Sequence, residues 1–219
     1  MITKIIHVIL DNIFPPVCGI CGKIQQQYLC QKCFLKLMAL AENKTIDNWE
    51  TEMHFYQLLY IFKYEGMIRK IMLEYKFHEK PYLYETFVKF ILKDQNIVEK
   101  LQSYDTIIPV PISKKRMKER GYNQSLLIAK ALGKYLHINV ETNCLLKTKH
   151  VTAQSKLNKE ERKQNIQNVY ELKNKQILNN RKILLVDDIY TTGNTVNECS
   201  KVLKQANPER IDILALTKD

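Results

Sequence analysis

Four apolar residues, two acids and a hydroxyl-rich turn follow one another in the stretch Ile183-Leu184-Leu185-Val186-Asp187-Asp188-Ile189-Tyr190-Thr191-Thr192-Gly193-Asn194-Thr195. The short apolar run is typical of a strand buried in a parallel sheet, and the residues from Thr195 onward have the apolar period of a helix. A helix that begins directly after a parallel strand exposes unpaired N–H groups and a partial positive charge at the carboxyl edge of the sheet. The stretch therefore predicts an α/β fold with an anion site at that edge.

The turn between this strand and this helix carries the groups that a phosphate needs. Gly193 allows a close backbone approach, and the hydroxyl groups of Thr191, Thr192 and Thr195 can donate hydrogen bonds, with Asn194 beside them. These five residues are the predicted phosphate-binding residues, and together they suit a phosphate monoester.

The paired acids Asp187 and Asp188 require a further explanation, because carboxylates beside a phosphate site repel an anionic ligand. Ribose 2- and 3-hydroxyl groups would donate to both carboxylates, and one carboxylate could also face magnesium carried by a pyrophosphate. We therefore take both acids as candidate catalytic residues that hold a ribose. The alternative is that Asp188 only caps the helix, but an ordinary cap needs one such residue rather than six.

Alternating apolar runs and helical patterns extend from residue 104 to the end of the chain, which is typical of a parallel α/β sheet. The patterns predict strands over 56–64, 106–110, 138–140, 183–186 and 211–216. They predict helices over 65–77, 82–92, 124–136 and 195–206. The helix over 124–136 is expected to carry Leu127, Ala131 and Tyr135 on its apolar face.

The stretch around Asp187 resembles the phosphoribosyl-pyrophosphate (PRPP) signature of type I phosphoribosyltransferases, in which four apolar residues precede two acids and a Thr-Thr-Gly turn. Further landmarks resemble the ComF family, in this order: Tyr64-Glu65-Gly66, Ile107-Ile108-Pro109-Val110-Pro111, Arg120-Gly121-Tyr122-Asn123-Gln124, Thr152, Gln154, Leu157, Arg162 and Asn165. Together with an N-terminal cysteine cluster, the resemblance covers nearly the whole chain.

This resemblance implies a fold and a ligand. The implied fold is the type I phosphoribosyltransferase fold, a parallel sheet flanked by helices, here with a small N-terminal four-cysteine zinc segment. The implied ligand is PRPP, which binds with magnesium. Members of the family are associated with DNA uptake in natural competence, and no acceptor substrate is settled for them.

The resemblance also implies that residues 109–116 form the pyrophosphate loop, with contributions from Pro109, Val110, Pro111, Lys114, Lys115 and Arg116. The alternative for the three basic residues is a solvated helix face. Within the family motif, Gly121 allows a tight approach between Arg120 and Asn123. The sequence has Lys118 and Lys147 where arginine is frequent in the family, and lysine cannot make the same bidentate contact.

A long polar segment over 151–168 separates two parts of the predicted domain. Such a segment inside a compact α/β domain is typical of a mobile active-site loop. We expect Thr152, Gln154 and Arg162 to belong to that loop.

Four cysteines lie in two C-x-x-C pairs, Cys18 with Cys21 and Cys30 with Cys33. Two such turns can bring four thiolates to one tetrahedral zinc ion, which contributes roughly 10 to 16 kcal/mol in small zinc peptides. The segment has too little apolar material to fold without this support. A disulfide pair, a thioredoxin-like redox motif and an iron–sulfur centre are the alternatives. We expect structural zinc.

The chain organisation follows from these patterns. Residues 1–40 are expected to form an N-terminal helix and the zinc segment, and residues 41–219 the PRPP-binding domain. The stretch over 2–14 has one apolar helical stripe, which we expect to dock on the protein; the alternative is a membrane surface. No apolar run approaches the roughly 18 residues of a membrane span, which predicts a soluble, cytoplasmic protein without a transmembrane segment.

The net charge of +11 favours anionic partners without choosing among them. For a protein of DNA uptake, two functions stay open. It is either a phosphoribosyltransferase with an unknown acceptor, or a PRPP-binding module that contacts single-stranded DNA or a helicase. A metabolic phosphoribosyltransferase with a nucleobase or amine acceptor and no role in DNA uptake is the alternative.

Overall fold

The computed structural model of the chain describes residues 17–24, 29–47, 53–77, 80–148 and 169–219. The predicted N-terminal helix over 2–14 lies outside the described residues. The predicted loop residues Thr152, Gln154 and Arg162 also lie outside them.

A mostly parallel sheet forms the centre of the described structure. Its strands and those of a smaller sheet are β1 (Ala41–Asp47), β2 (Gln57–Lys63), β3 (Thr106–Pro109), β4 (Asn139–Val140), β5 (Leu145–Lys147), β6 (Tyr170–Leu172), β7 (Lys182–Tyr190) and β8 (Arg210–Lys218). The large sheet has the order β1-β2-β8-β7-β3-β4, in which only β1 is antiparallel to its neighbour. β5 and β6 form a separate antiparallel pair.

Helices cover both faces of the large sheet. Those in the described ranges are α1 (Gln31–Leu40), α2 (Gly66–Phe77), α3 (Leu83–Ile91), α4 (Gln95–Leu101), α5 (Lys114–Arg120), α6 (Gln124–Leu136) and α7 (Asn194–Leu203), with short 3-10 helices at Lys175–Leu178 and Lys204–Ala206. None of these helices combines the length and the apolar character that a membrane crossing requires.

The strands and helices predicted between residues 56 and 216 are confirmed, with two strands longer than predicted. β7 continues beyond Val186 to Tyr190, because its pairing with β8 continues through Ile189 opposite Thr217 and Tyr190 opposite Lys218. The acid pair is therefore part of the strand rather than of the turn that follows it.

The predicted apolar face of α6 was wrong. Its buried side carries Ile128, Leu132 and Leu136, whereas Tyr135 is 54% exposed. Both faces carry apolar residues at helical spacing, so the period alone did not identify the side that packs against the sheet. Gly133 belongs to the packed side, since an added Cβ atom there would overlap Val140 on β4.

The described elements α1, α4, α5, β1, β5 and β6 were not predicted, and three of them, β1, α4 and α5, carry little apolar signal. β1 is a polar edge strand that is exposed from Lys44 onward and is held by its pairing with β2. α4 is one of two short helices that depend on their caps: the Asp94 carboxylate accepts from the backbone of Asn96 at 3.1 Å and of Ile97 at 3.2 Å. α5 has no buried residue and begins after Ser113, whose hydroxyl accepts from the backbone N–H of Arg116.

The core lies on the two faces of the central strands. Leu184 and Val186 of β7 pack with α2, α3, α4 and α6 on one face. Ile183 and Leu185 pack with α7 and the small sheet on the other. This alternation follows from the two-residue period of a strand, and it explains why the run Ile183 to Val186 is apolar throughout.

The N-terminal segment shares the first of these two cores. Leu37 of α1 is fully buried in it, and Ile20 packs against it. Gly19 lies so close to α3 that an added Cβ atom would overlap Leu83. The cysteine-bearing segment therefore packs on the main body through apolar contacts in addition to any metal.

Leu37→Ala tests this shared core. We expect it to lower the free energy of unfolding by about 2 to 5 kcal/mol, the usual cost of truncating a fully buried leucine. Leu35→Ala, on the same helix but 57% exposed, is the matched control and should change stability by no more than about 0.5 kcal/mol. Urea denaturation followed by circular dichroism measures both. Equal effects of the two substitutions would show that α1 does not share the core.

Candidate functional site

A cleft of about 250 Å³ lies at the carboxyl edge of the large sheet. The ends of β2, β3 and β7 meet there, together with the beginning of α6. The residues that line it are Tyr64, Lys76, Val110, Pro111, Ile112, Arg116, Arg120, Gln124, Ser125, Lys147, Tyr170, Asp187, Asp188, Ile189, Thr191 and Thr195. The cleft thus brings together the acids, two threonines of the turn, and Arg116 and Arg120 among the basic residues that the sequence singled out.

The two acids have different partners. One carboxylate oxygen of Asp187 accepts from the backbone N–H of Asp188 at 2.9 Å and lies 3.1 Å from the hydroxyl oxygen of Ser125. Asp188 Oδ2 lies 3.0 Å from the ammonium nitrogen of Lys76. Asp188 is therefore neutralised by a cation, whereas Asp187 is held by neutral hydrogen-bond donors.

Burial and the neighbouring carboxylate of Asp188 raise the pKa of Asp187 to about 7. Lys76, the backbone N–H of Asp188 and the hydroxyl of Ser125 act in the opposite direction. Burial and the neighbouring carboxylate thus both oppose ionisation of Asp187.

The predicted phosphate turn lies beside the acids, at the beginning of α7. Thr191 and Thr195 line the cleft, whereas Thr192, Gly193 and Asn194 are not among its lining residues. Gly193 has a positive φ of 75°, and a side chain there would overlap the ring of Tyr190. The turn therefore needs glycine both for its conformation and for the space that Tyr190 occupies.

The predicted pyrophosphate loop is shorter than its sequence range. Pro109 ends β3, Val110 and Pro111 line the cleft, and the three basic residues belong to α5. Of those three, Arg116 lines the cleft. Lys114 and Lys115 are exposed outside it, and Lys115 lies 3.9 Å from Glu119 on the solvated face of α5.

The motif over 120–124 connects this loop to α6. Gly121 ends α5 with a positive φ of 74°. Asn123 caps α6, and its side-chain amide donates to the carbonyl oxygen of Val110 at 3.0 Å. Arg120 lines the cleft and donates to the side chain of Gln124 at 3.1 Å. Asn123 therefore stabilises the conformation of the loop, and Arg120 is the charged residue of the motif that lines the cleft.

Sequence reasoning missed the contribution of Tyr75, Lys76 and Phe77 at the end of α2. The hydroxyl of Tyr75 donates to the carbonyl oxygen of Gln124 at 3.0 Å, and the hydroxyl of Tyr122 donates to the carbonyl oxygen of Tyr75. The guanidinium of Arg120 lies 5.1 Å from the centre of the Phe77 ring. No local sequence signal connects Lys76 with Asp188.

The small sheet supplies the other side of the cleft. Lys147 of β5 donates to the hydroxyl of Tyr170 on β6 at 3.1 Å, and both residues line the cleft. Burial and the nearby Arg116 lower the pKa of Lys147. The lysine that stands where arginine is frequent in the family thus faces the cleft.

The four cysteines come together as the spacing predicted. The thiol sulfurs of Cys18, Cys21, Cys30 and Cys33 lie within 4.8 Å of one another. The sulfurs of Cys21 and Cys30 are 3.8 Å apart, and roughly that distance separates two thiolates on one tetrahedral zinc ion. The set therefore fits a metal ion.

The local backbone favours a thiolate at Cys18, whereas burial and the neighbouring thiols raise the pKa of Cys33. The N–H of Cys30 points to the sulfur of Cys18 at 3.5 Å, and the N–H of Cys33 points to the sulfur of Cys30 at 3.4 Å. Burial raises the pKa of Cys18, but backbone hydrogen bonds from Cys30, Cys21 and Ile20 outweigh it and leave this pKa at about 6. Cys144 and Cys199 are buried elsewhere in the core.

Comparison with known proteins decides the family. The model of the phosphoribosyl transferase domain matches residues 123–219. Competence protein F of Haemophilus influenzae is 30% identical over 207 residues, which cover 93% of this chain and 85% of that protein. The chain belongs to the ComF family of competence proteins.

Two further relatives agree with this family. Competence protein ComFC of Streptococcus pneumoniae is 30% identical over 72% of this chain and 66% of its own length. The DNA utilization protein YhgH of Escherichia coli K12 is 30% identical over 54% of this chain and 51% of its own length. The predicted resemblance and the type I phosphoribosyltransferase fold are confirmed.

The solved structures that this chain is similar to are more distant. A glutamine PRPP amidotransferase from B. subtilis, complexed with ADP and GMP, matches with a TM-score of 0.44 and 14% identity, over 65% of this chain and 30% of that chain. A purine phosphoribosyltransferase from Pyrococcus horikoshii Ot3 matches with a TM-score of 0.40 and 15% identity, over 63% of this chain and 84% of that chain.

The cysteine cluster predicts one zinc ion per chain in freshly prepared, reduced protein. Cys30→Ser should abolish zinc binding and lower the melting temperature, because three thiolates and one hydroxyl no longer form a tight tetrahedral set. Cys144→Ala, which changes a buried thiol outside the cluster, should keep the metal. Elemental analysis of both variants and the parent measures this, and parent protein without zinc would contradict the assignment.

The raised pKa of Asp187 predicts a pH dependence of stability. In the unfolded chain an aspartate titrates near about 3.9, so the folded state holds an extra proton from there up to about 7. The contribution of Asp187 to the free energy of unfolding is fully present below its unfolded-state pKa. It is lost as the pH rises through its folded-state pKa. Asp187→Asn should therefore gain stability relative to the parent as the pH rises from about 5 to 8.

Glu119→Gln, an exposed acid on α5, is the control for this measurement. Its stability difference from the parent should stay constant over the same pH range. Chemical denaturation at each pH gives both differences. A constant difference for Asp187→Asn as well would show that its carboxyl group is not perturbed.

Proposed function

We propose that the protein binds PRPP together with magnesium in the cleft at the carboxyl edge of the sheet, and that it acts in DNA uptake. The observation that carries this proposal is the pair of acids at the end of β7, beside the hydroxyl-bearing turn that begins α7. This arrangement stands in a chain whose family is named for competence.

Three parts of the ligand would occupy three parts of the cleft. The phosphate monoester meets the N–H groups and the threonines at the beginning of α7. The ribose hydroxyls donate to Asp187 and Asp188. The magnesium pyrophosphate lies by the backbone of Val110 and Pro111, where the guanidinium of Arg116 offsets its charge.

The reaction that suits this arrangement is pentosyl transfer. The bond between C1 of the ribose and the pyrophosphate oxygen breaks, its electrons leave with the pyrophosphate, and an acceptor forms a new bond at C1. Cations around the leaving group stabilise the charge that develops on it. A stable PRPP complex without pyrophosphate release would instead make the protein a PRPP-binding module.

The role in DNA uptake comes from the relatives, which are named competence proteins and DNA utilization proteins. We propose that the basic surface, in a chain of net charge +11, contacts single-stranded DNA or a helicase of the uptake machinery. We place the protein in the cytoplasm, since four reduced thiols can hold zinc there. The alternative, a metabolic phosphoribosyltransferase, predicts normal transformation in cells that lack the protein.

Replacing both acids tests the proposed function. Asp187→Asn combined with Asp188→Asn keeps the shape but removes charge-assisted hydrogen bonds, each worth roughly 1.5 to 3 kcal/mol. We expect PRPP affinity to fall more than tenfold while the fold is retained. Glu119→Gln combined with Glu209→Gln removes the same charge from exposed positions and should leave the affinity unchanged.

Isothermal titration with magnesium PRPP gives the affinities, and circular dichroism verifies the fold. In a naturally competent strain that lacks its own ComF protein, the parent chain should restore transformation and the double acid variant should not. Equal PRPP affinity of variant and parent would reject the binding site, and full restoration by the variant would separate DNA uptake from PRPP.

A further inference from the structure

Lys76 reaches the acid pair from a part of the chain that the phosphoribosyl transferase domain match does not include. That match begins at residue 123, whereas Lys76 lies in the last turn of α2. Its ammonium nitrogen is 3.0 Å from Asp188 Oδ2, and the two side chains are only 16% and 10% exposed. The N-terminal half of the protein thus contributes a charged group to the cleft.

The neighbours of Lys76 fix its position. Tyr75 is fully buried, donates to the backbone of Gln124 and accepts from Tyr122, while Phe77 lies beneath the guanidinium of Arg120. These contacts attach the end of α2 to the 120–124 motif on both sides of the lysine. The ammonium group is therefore held over Asp188 before any ligand binds.

Burying the ion pair between Lys76 and Asp188 costs desolvation free energy, which the attraction between the two charges must offset. Removing two charges from water costs several kcal/mol per ion in a protein interior, so such pairs give little net stability. A pair that contributes little to folding but lies in a binding cleft points to the ligand. An ionised carboxylate has about four acceptor positions, and Lys76 occupies one side of Asp188 only, which leaves positions for ribose hydroxyls.

We propose that Lys76 is a positioning residue for the ribose of PRPP, which acts by holding the carboxylate of Asp188 directed into the cleft. This inference rests on the proposed function. Lys76 also offsets the repulsion between the two adjacent carboxylates. Without it, the two adjacent carboxylates repel one another, and Asp188 is free to turn away from the hydroxyl groups.

The test separates the ribose from the rest of the ligand. Isothermal titration of the full chain would use three probes: magnesium PRPP, ribose 5-phosphate and magnesium pyrophosphate. For Lys76→Met we expect at least tenfold weaker binding of PRPP and ribose 5-phosphate, with pyrophosphate affinity within twofold of the parent. Lys76→Arg, which keeps the charge, should lose less than threefold for every probe.

Lys80→Met is the matched control. Lys80 follows the same helix and pairs with Glu74 at 2.6 Å, but that pair lies outside the cleft and is more exposed, at 38% and 31%. It should leave all three affinities unchanged. If Lys76→Met does not fold, Lys76→Gln replaces it, since it removes the charge but retains a hydrogen-bond donor.

Each remaining outcome overturns the inference. Equal losses for all three probes would indicate a purely structural role, and loss of pyrophosphate alone would mean that Lys76 contacts that group directly. Unchanged binding of ribose 5-phosphate by the variant would reject Lys76 while leaving the proposed function intact. A parent protein that does not bind PRPP would reject the proposed function and this inference together.

Discussion

Two carboxylates held side by side at the end of a buried strand are the constraint on which the rest of the site depends. Parallel pairing of β7 with β3 and β8 places Asp187 and Asp188 at the edge of the sheet, where burial makes their repulsion costly. The surrounding elements each reduce this cost: α6 brings the hydroxyl of Ser125, and α2 brings the ammonium of Lys76. The elements that approach this edge are thus arranged around the charge of the acid pair.

The motif over 120–124 has a mainly architectural role in this arrangement. Its members form hydrogen bonds to Val110 on one side and to the end of α2 on the other. This one short segment therefore positions both the loop after β3 and Lys76. Arg120 is the member that also faces the cleft. Substitution of a motif residue would therefore disturb several ligand contacts at once, which is a reason to interpret such variants as changes of geometry.

The sequence was sufficient for the parts of the fold that have local causes. The apolar run before Asp187, the glycine at 193 and the two C-x-x-C pairs each have one physical explanation, and the predicted strand, turn and thiol cluster followed. Lys76 could not be found in this way, because its role depends on Asp188, far away in the chain. The buried face of α6 was also beyond local reasoning, since Ile128 and Leu127 give equally regular patterns and only the sheet selects between them.

The small sheet of β5 and β6 affects how much the chain length between these two strands can change. The backbone N–H of Thr148 donates to the carbonyl oxygen of Val169 at 2.9 Å, which joins the two ends of the intervening segment beside Lys147 and Tyr170 of the cleft. Once the ends of a segment are fixed, its length has little thermodynamic weight, because doubling the number of residues costs only about 0.6 kcal/mol of closure entropy. An insertion or deletion between Thr148 and Val169 is thus expected to cost folding little. Relatives can therefore differ in length between β5 and β6 while Lys147 and Tyr170 keep their places in the cleft.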